Sequence, residues 1–177
     1  MSPVKLTSPR LWLFVAMGIL LLVGVGIFWV IKNPPLPPGW TIQETANFRV
    51  AVPSTGDFTH FGDLRSGCAI LHLPQNVHLS ITSWDWRWKS LTGSEVAELD
   101  NYLERLRGPL KAEVISCQQI TSHGHPAYVV NTIENGSPRK HLLVVAQGWF
   151  HDVCTDIAPG VLSEEDADFV FRSFRAR

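Results

Sequence analysis

Two histidine pairs are the first candidates for chemistry in this chain. His72 and His78 flank a turn, and His123 and His125 are separated only by Gly124. Two imidazoles on neighbouring positions can chelate Zn²⁺ or Cu²⁺ once a third ligand joins them. The same pairs also fit ordinary polar side chains, or groups that titrate near neutral pH. These four histidines are therefore weak metal candidates, and we assign no metal site.

Three cysteines offer a second kind of chemistry, at positions 68, 117 and 154. Their spacing matches no metal-binding motif, and an odd number leaves at least one thiol unpaired. An oxidising compartment would allow one disulfide. Cys117 and Cys154 are expected on strands with two others between them, too far apart to bond. Our preferred interpretation is three buried free thiols that pack as small hydrophobes.

The tryptophan ladder is the most unusual stretch, with Trp84, Trp86 and Trp88 alternating with Asp85, Arg87 and Lys89. In a strand this alternation places three indoles on one face. If the strand has no bulge, they share a face with His78 and other polar residues. A helix layer must then cover them, or they are exposed for a partner. The same residues also fit core packing after a bulge, or stacking on a sugar, and we name the three tryptophans as candidate partner-binding residues.

Catalytic signatures are missing from the sequence. It contains no Gly-x-Ser-x-Gly elbow, no HExxH helix, no glycine-rich phosphate loop and no paired-carboxylate cleft. We therefore expect a non-enzymatic protein without a cofactor.

The N-terminal region has the composition of a membrane segment. Residues 11–31 are 21 residues without a charge, and as a helix they would extend about 31 Å, against about 30 Å for a hydrocarbon core. Trp12 and Trp29 near the two ends are candidate membrane-interface residues. Lys5 and Arg10 predict a cytoplasmic N-terminus over residues 1–10. The sequence thus predicts a retained single-pass anchor in the cell (inner) membrane.

A short spacer and one larger domain follow the anchor. The spacer, residues 32–40, contains four prolines and is expected to be extended and semi-rigid. Residues 40–177 contain 12 basic and 16 acidic residues, for a net charge of −4. This balance gives no reason to expect nucleic acid as a partner. We predict an extracytoplasmic domain over residues 41–177.

Periodicity predicts the elements of this domain. Alternating apolar residues indicate a hairpin in which Leu73 pairs with Val77 and His72 with His78. Helices are expected from about Glu95 to Arg107 and from Ser163, as N-cap, to the C-terminus. Further strands are predicted at about 48–52, 112–121, 127–134, 139–147 and 149–157, with residues 54–66 as a surface loop. The order β-β-β-α-β-β-β-β-α predicts an α+β fold, a mostly antiparallel sheet with helices packed on it in an α/β/α-type sandwich.

Three short motifs resemble the PsbP-like fold family. They are Phe48-Arg-Val-Ala-Val-Pro53, Gly124-His-Pro-Ala-Tyr128 and the final segment Phe169–Arg175. The resemblance covers about residues 45–176. The family includes the extrinsic subunit of photosystem II and small bacterial extracytoplasmic proteins, several of them non-enzymatic. No functional residue of the family matches here, so the resemblance implies the fold and not a site.

These features lead to one functional hypothesis. We expect an accessory subunit that is anchored in the bilayer by residues 11–31 and docks its outer domain onto an integral membrane protein complex. Two further hypotheses are an extracytoplasmic protein that binds a metal or small ligand on the His72/His78 face, and an enzyme of a type that leaves no sequence signature.

Overall fold

The computed structural model describes residues 9–32, 35–62, 66–86 and 94–177. The chain divides into two compact units, Met1–Pro37 and Pro38–Arg177. The first contains helix α1 (Pro9–Lys32), in which side chains are described for residues 14–25. No helix in the described part of the chain is long and apolar enough to cross a membrane.

The second unit is built around a seven-stranded antiparallel sheet. Its strands, in spatial order, are β3 (Asp57–Gly62), β4 (Ser66–Leu73), β5 (Val77–Asp85), β9 (Trp149–Asp156), β8 (Ser137–Ala146), β7 (His125–Glu134) and β6 (Glu113–Ser122). A smaller antiparallel sheet has the order β1 (Trp40–Glu44), β2 (Phe48–Pro53) and β10 (Arg175–Ala176). Helices α2 (Glu95–Arg107) and α3 (Glu164–Ser173) complete the unit. The predicted α+β class with mostly antiparallel pairing is confirmed.

Two-residue turns connect the four strands β6 to β9. Each turn pairs a residue of positive φ with a glycine: His123-Gly124, Asn135-Gly136 and Gln147-Gly148. Positive φ at both turn positions matches the twist of antiparallel strands, and glycine adopts it at no steric cost. These turns fix the register of the four-stranded meander.

Two hydrophobic clusters cover opposite faces of the large sheet. On one face, β2 and α3 pack over Leu71, Leu79, Ile81 and other buried residues of β4, β5, β8 and β9. On the other face, Leu99, Leu103 and Leu106 of α2 pack over Tyr128, Val130, Leu143, Val145 and Phe150. The sandwich is therefore α2, the large sheet, and a third layer of α3 with the small sheet. The predicted Leu73–Val77 and His72–His78 pairing is confirmed.

Several predicted elements differ from the observed ones. Residues 57–62, expected in a surface loop, form strand β3 against β4. The strand-favouring Phe58, Thr59 and Phe61 lie there within a stretch otherwise rich in Gly, Ser and Asp. The last helix ends at Ser173, and Arg175–Ala176 pair with Arg49 and Phe48 instead of continuing it. Phe174, fully buried in the core, caps the helix with extended backbone angles. Helix α2 begins at Glu95 as expected, with Ser94 as its N-cap, whose side chain accepts a hydrogen bond from the Ala97 N–H.

Candidate functional site

The described part of the tryptophan ladder lies under α2. Trp84 stacks on Phe150 with ring centroids 4.3 Å apart, and Tyr102 lies 5.4 Å from Trp84. β5 pairs with both neighbours without a bulge, so Trp84 shares the sheet face of His78. Trp84 and Trp86 are half-buried against the α2 cluster. Helix α2 therefore covers the two described indoles in part and leaves part of each exposed.

The indole nitrogens of Trp84 and Trp86 are buried and have no hydrogen-bond acceptor among the described residues. A buried donor without an acceptor costs about 1–3 kcal/mol. Trp88 lies outside the described residues, and the side chains of Trp12 and Trp29 lie outside them as well.

The same sheet face also carries a buried polar network centred on His141. Its imidazole Nδ1 lies 3.0 Å from Asp152 Oδ1, and its Nε2 lies 3.0 Å from Glu134 Oε1. Tyr102 of α2 donates its hydroxyl to Asp152 Oδ2 at 2.7 Å. The network therefore joins strands β7, β8 and β9 and ties α2 to them.

An ion-pair chain extends this network towards the predicted histidine pair. Arg139 bridges Glu134 at 2.7 Å and Asp156 at 2.8 Å. Asp156 Oδ2 accepts from the His78 backbone N–H at 2.9 Å and lies 3.3 Å from His78 Nδ1. The His78 ring makes an edge contact with His72, at a centroid distance of 5.1 Å. The predicted pair thus lies at the exposed end of a charged row that begins in the core.

The charges of this row stabilise one another. Burial disfavours the imidazolium of His141, but Asp152, through its charge and hydrogen bond, outweighs that effect and holds the pKa of His141 well above its ordinary value. The hydrogen bond from His141 holds the pKa of Glu134 below its ordinary value, against the effect of burial. The centre is therefore an imidazolium held between two carboxylates.

Cys154 adds a thiol to the same centre, with Sγ 3.7 Å from His141 Nε2. A thiol, an imidazole and a carboxylate in this order resemble the parts of a nucleophilic site. Here, however, burial raises the pKa of the Cys154 thiol, and Glu134 already accepts from Nε2. The hydrogen bonds to Asp152 and Glu134 hold the His141 imidazole between strands β7 and β9, and the raised pKa of Cys154 favours the protonated thiol.

The His123/His125 turn lines a cavity of about 140 Å³ at one end of the domain, next to Phe174 and Arg175. His123 Nε2 contacts the Arg175 guanidinium and lies 3.3 Å from the Arg172 carbonyl at the C-terminus of α3. Cationic groups are favourable at that end of a helix. Among the residues the structure describes, no group of three or more His, Cys, Asp or Glu side chains could hold a metal ion.

His151 is a further buried histidine, which the sequence patterns did not single out. His151 lies on the opposite sheet face, fully buried, with Nδ1 2.8 Å from Ser83 Oγ and its ring edge on Phe174. Its Nε2 has no partner among the described residues. Burial lowers the pKa of His151 to about 3. The imidazole is therefore neutral at physiological pH.

The cysteines are all free. Cys68 and Cys154 are half-buried, as expected for small packed thiols, but Cys117 is exposed on β6. The expectation of three buried thiols is wrong for Cys117, because β6 is the edge strand of the described sheet and most of its residues are exposed. The expected separation of Cys117 from Cys154 by two strands is confirmed.

The residues of the His141 network carried a weak signal in the sequence. Asp152, Cys154 and Asp156 alternate along β9, and Arg139 and His141 alternate along β8. A period of two places each set on one sheet face. Recognising that the two sets meet requires the β8–β9 register, which pairs Arg139 with Asp156 and His141 with Cys154.

Comparison with known proteins identifies the fold. No family model matches the chain, and no curated protein matches it in sequence. The solution structure of cyanobacterial PsbP from Synechocystis sp. superposes with a TM-score of 0.57 at 12% identity, over 82% of this chain and 96% of that one. The domain has a PsbP-like fold.

Two further solved structures resemble this chain more distantly. A protein of unknown function from Pseudomonas aeruginosa has a TM-score of 0.40 at 10% identity, over 73% of this chain and 86% of that one. A protein from Bacteroides thetaiotaomicron has a TM-score of 0.43 at 14% identity, over 78% of this chain and 48% of that one. The PsbP-like resemblance expected from the three sequence motifs is confirmed, and it concerns the fold alone.

Proposed function

We propose that this protein is a single-pass membrane-anchored, non-enzymatic accessory subunit. Its PsbP-like domain lies outside the cytoplasm and docks onto an integral membrane protein complex. The observation that supports this most strongly is the surface of α1. Nine large apolar side chains between Phe14 and Val25 are exposed, with Leu22 at 74% and Leu20 at 71%.

An apolar surface of this kind needs an apolar environment. The nine exposed residues fall on all sides of the helix, because they are spread over the twelve positions 14–25 without a polar stripe. Large exposed apolar surfaces mark membrane or partner contacts. The uncharged run 11–31 has the helical length of a hydrocarbon core. The cytoplasmic N-terminus and the interface roles of Trp12 and Trp29 belong to the same proposal.

The outer domain supports a docking role better than a catalytic one. Its charged centre is internally paired: His141 lies between Asp152 and Glu134, and Arg139 lies between Glu134 and Asp156. The groups of this centre are thus engaged with one another. The first candidate for the contact surface is the segment containing Trp84, Trp86 and Trp88. The two described indoles are only half-buried, and tryptophan offers a large apolar surface to a partner.

The test is site-specific photo-crosslinking of the full chain in its native membrane. A photoreactive phenylalanine analogue replaces Trp86, and a matched control carries it at Glu164, an exposed residue at the start of α3. We expect one integral membrane partner to be captured from position 86 and not from position 164. Recovery of the chain without any stoichiometric membrane partner, from both positions, contradicts the docking role.

A metal- or small-ligand-binding role at His72 and His78 is the second proposal. The observation that favours it is the edge contact of the two imidazoles beside Asp156. Zn²⁺ and Cu²⁺ analysis of the purified full chain tests it, with His72→Ala/His78→Ala as the matched variant. Metal that is lost in the variant supports this role, and metal-free wild-type protein at neutral pH removes it.

A further inference from the structure

Strand β6 leaves an unusually long open edge on the large sheet. It has ten residues and lies last in the strand order, and within the described part of the chain it pairs on one side only, with β7. Seven of its ten residues are exposed. An unpaired edge presents a row of backbone N–H and C=O groups that can accept another strand.

The composition of β6 does nothing to block such pairing. After Glu113 at its first position, the nine residues Val114–Ser122 contain no charge and no proline. Proteins usually protect edges with charged residues, proline, shortness or bulges. The other described edge strands are shorter than the ten residues of β6: β3 has six residues, β1 has five and β10 has two. The protective features of β6 are confined to its N-terminal end, where Glu113 is charged and a bulge lies between Val114 and Ser116.

Exposed apolar side chains gather beside this edge. Leu110 in the turn before β6 is 52% exposed, Ile115 at the bulge is 57% exposed, and Ile133, opposite Glu113 on β7, is 37% exposed. In the described part of the domain from Pro38 onwards, only Ile42 and Phe61 join them among the exposed large hydrophobics. Apolar area beside an open edge adds hydrophobic burial to backbone pairing.

We propose that β6 is the interface for a second copy of this chain, paired antiparallel with its own β6 about a two-fold axis near Cys117. A strand without charge from Val114 to Ser122 can lie against itself with no like charges opposed. In the antiparallel arrangement the two Glu113 side chains fall at opposite ends of the paired strands. Val114–Ser122 offers no charged side chain to a different partner that would bind through charge complementarity.

The geometry of such a pair has the scale of a specific interface. Two ten-residue strands form about ten backbone hydrogen bonds, which is the number found in a typical protein–protein interface. With Cys117 opposite its own copy, the two Cα atoms lie about 4.5–5.5 Å apart, inside the range for a disulfide. Cys117 is free and exposed, so it reports directly on this register.

The test uses the full chain in mild detergent at several concentrations. Sedimentation equilibrium measures the dimer, and brief oxidation followed by peptide mass analysis locates any intermolecular disulfide. We expect a dimer linked through Cys117–Cys117, and we expect no such link after oxidation of Cys117→Ser. Gln118→Lys brings like charges together at the axis, and we expect it to raise the dimer dissociation constant about tenfold or more.

The matched control is His60→Lys, which adds the same charge to exposed β3 at the other edge of the sheet. It should leave the dimer unchanged. A monomer at all concentrations overturns the proposal. So does a dimer that Gln118→Lys leaves unaltered, or one crosslinked only through Cys68 or Cys154. Membrane extraction of the anchor is a separate measurement, so failure here is distinguishable from failure of the proposed function.

Discussion

The buried His151 is expected to make the domain sensitive to mild acid. It is fully buried, touches Ser83 through Nδ1, and has an Nε2 without a partner among the described residues. Burial lowers its pKa to about 3 in the folded protein, against about 6.5 in an unfolded chain. Between these values the unfolded chain binds a proton that the folded chain does not. Stability therefore falls as the pH drops below about 6.5.

The size of this effect follows from the two pKa values. One pKa unit corresponds to about 1.4 kcal/mol. At pH 7 the unfolded histidine is mostly neutral and the penalty is small. At pH 5, about 1.5 units below its pKa, the unfolded histidine is almost fully charged, while the folded form still resists protonation. We expect His151 alone to remove about 2 kcal/mol of unfolding free energy between pH 7 and pH 5.

The assay compares the full chain with His151→Asn, which keeps a polar atom near Ser83 but does not titrate in this range. Guanidinium unfolding in mild detergent, followed by near-ultraviolet circular dichroism, gives the unfolding free energy at each pH. For each protein the unfolding free energy at pH 5 is subtracted from that at pH 7, so the pH-independent effect of the substitution cancels. We expect the wild type to lose about 2 kcal/mol more than the variant from pH 7 to pH 5. Parallel pH profiles would refute the reasoning.

Three further substitutions test other parts of the fold, each by the same unfolding assay. His141→Gln should reduce the loss of unfolding free energy at alkaline pH. The raised pKa of His141 gives the wild type a stabilisation that is complete below about pH 6.5 and declines as the pH rises. Equal slopes of unfolding free energy against pH for wild type and variant, from pH 7 to 9, would contradict this. Leu99→Ala, in the fully buried face of α2, should cost about 2–5 kcal/mol, with exposed Asn101→Ala in the same helix as its control. Ser163→Ala removes the capping box of α3 and should cost about 0.5–2 kcal/mol; an unchanged midpoint would show that the cap does not stabilise the helix.

The sequence predicted elements whose signals are local. The β4–β5 register followed from the three residues between Leu73 and Val77, because turn length and alternation fix which side chains face the core. The α3 start followed from Ser163 as its N-cap. The α2 stripe followed from helical periodicity, and Leu99, Leu103 and Leu106 are its buried residues.

The rest depended on contacts distant in the sequence. Strand β3 is formed by pairing with β4, and its strand-favouring residues Phe58, Thr59 and Phe61 are hidden in a stretch whose Gly, Ser and Asp residues predict a loop. The small sheet joins Phe48 to Ala176 across most of the chain. The His141 network forms only because β7, β8 and β9 are neighbours, so Glu134 and Asp152 reach one imidazole from different strands. A histidine within an apolar strand gives no sign of its partners.

The proposed function depends first on a membrane anchor that holds this domain at the outer surface of the bilayer, and alkaline carbonate extraction combined with external protease tests that anchor. Spheroplasts that produce the full chain with a C-terminal epitope are treated with protease before lysis, and their membranes are then washed at alkaline pH. We expect the chain to stay in the membrane pellet and the epitope to be removed by protease added outside. Release of the intact chain by the wash, or an epitope protected until lysis, would contradict the anchored arrangement.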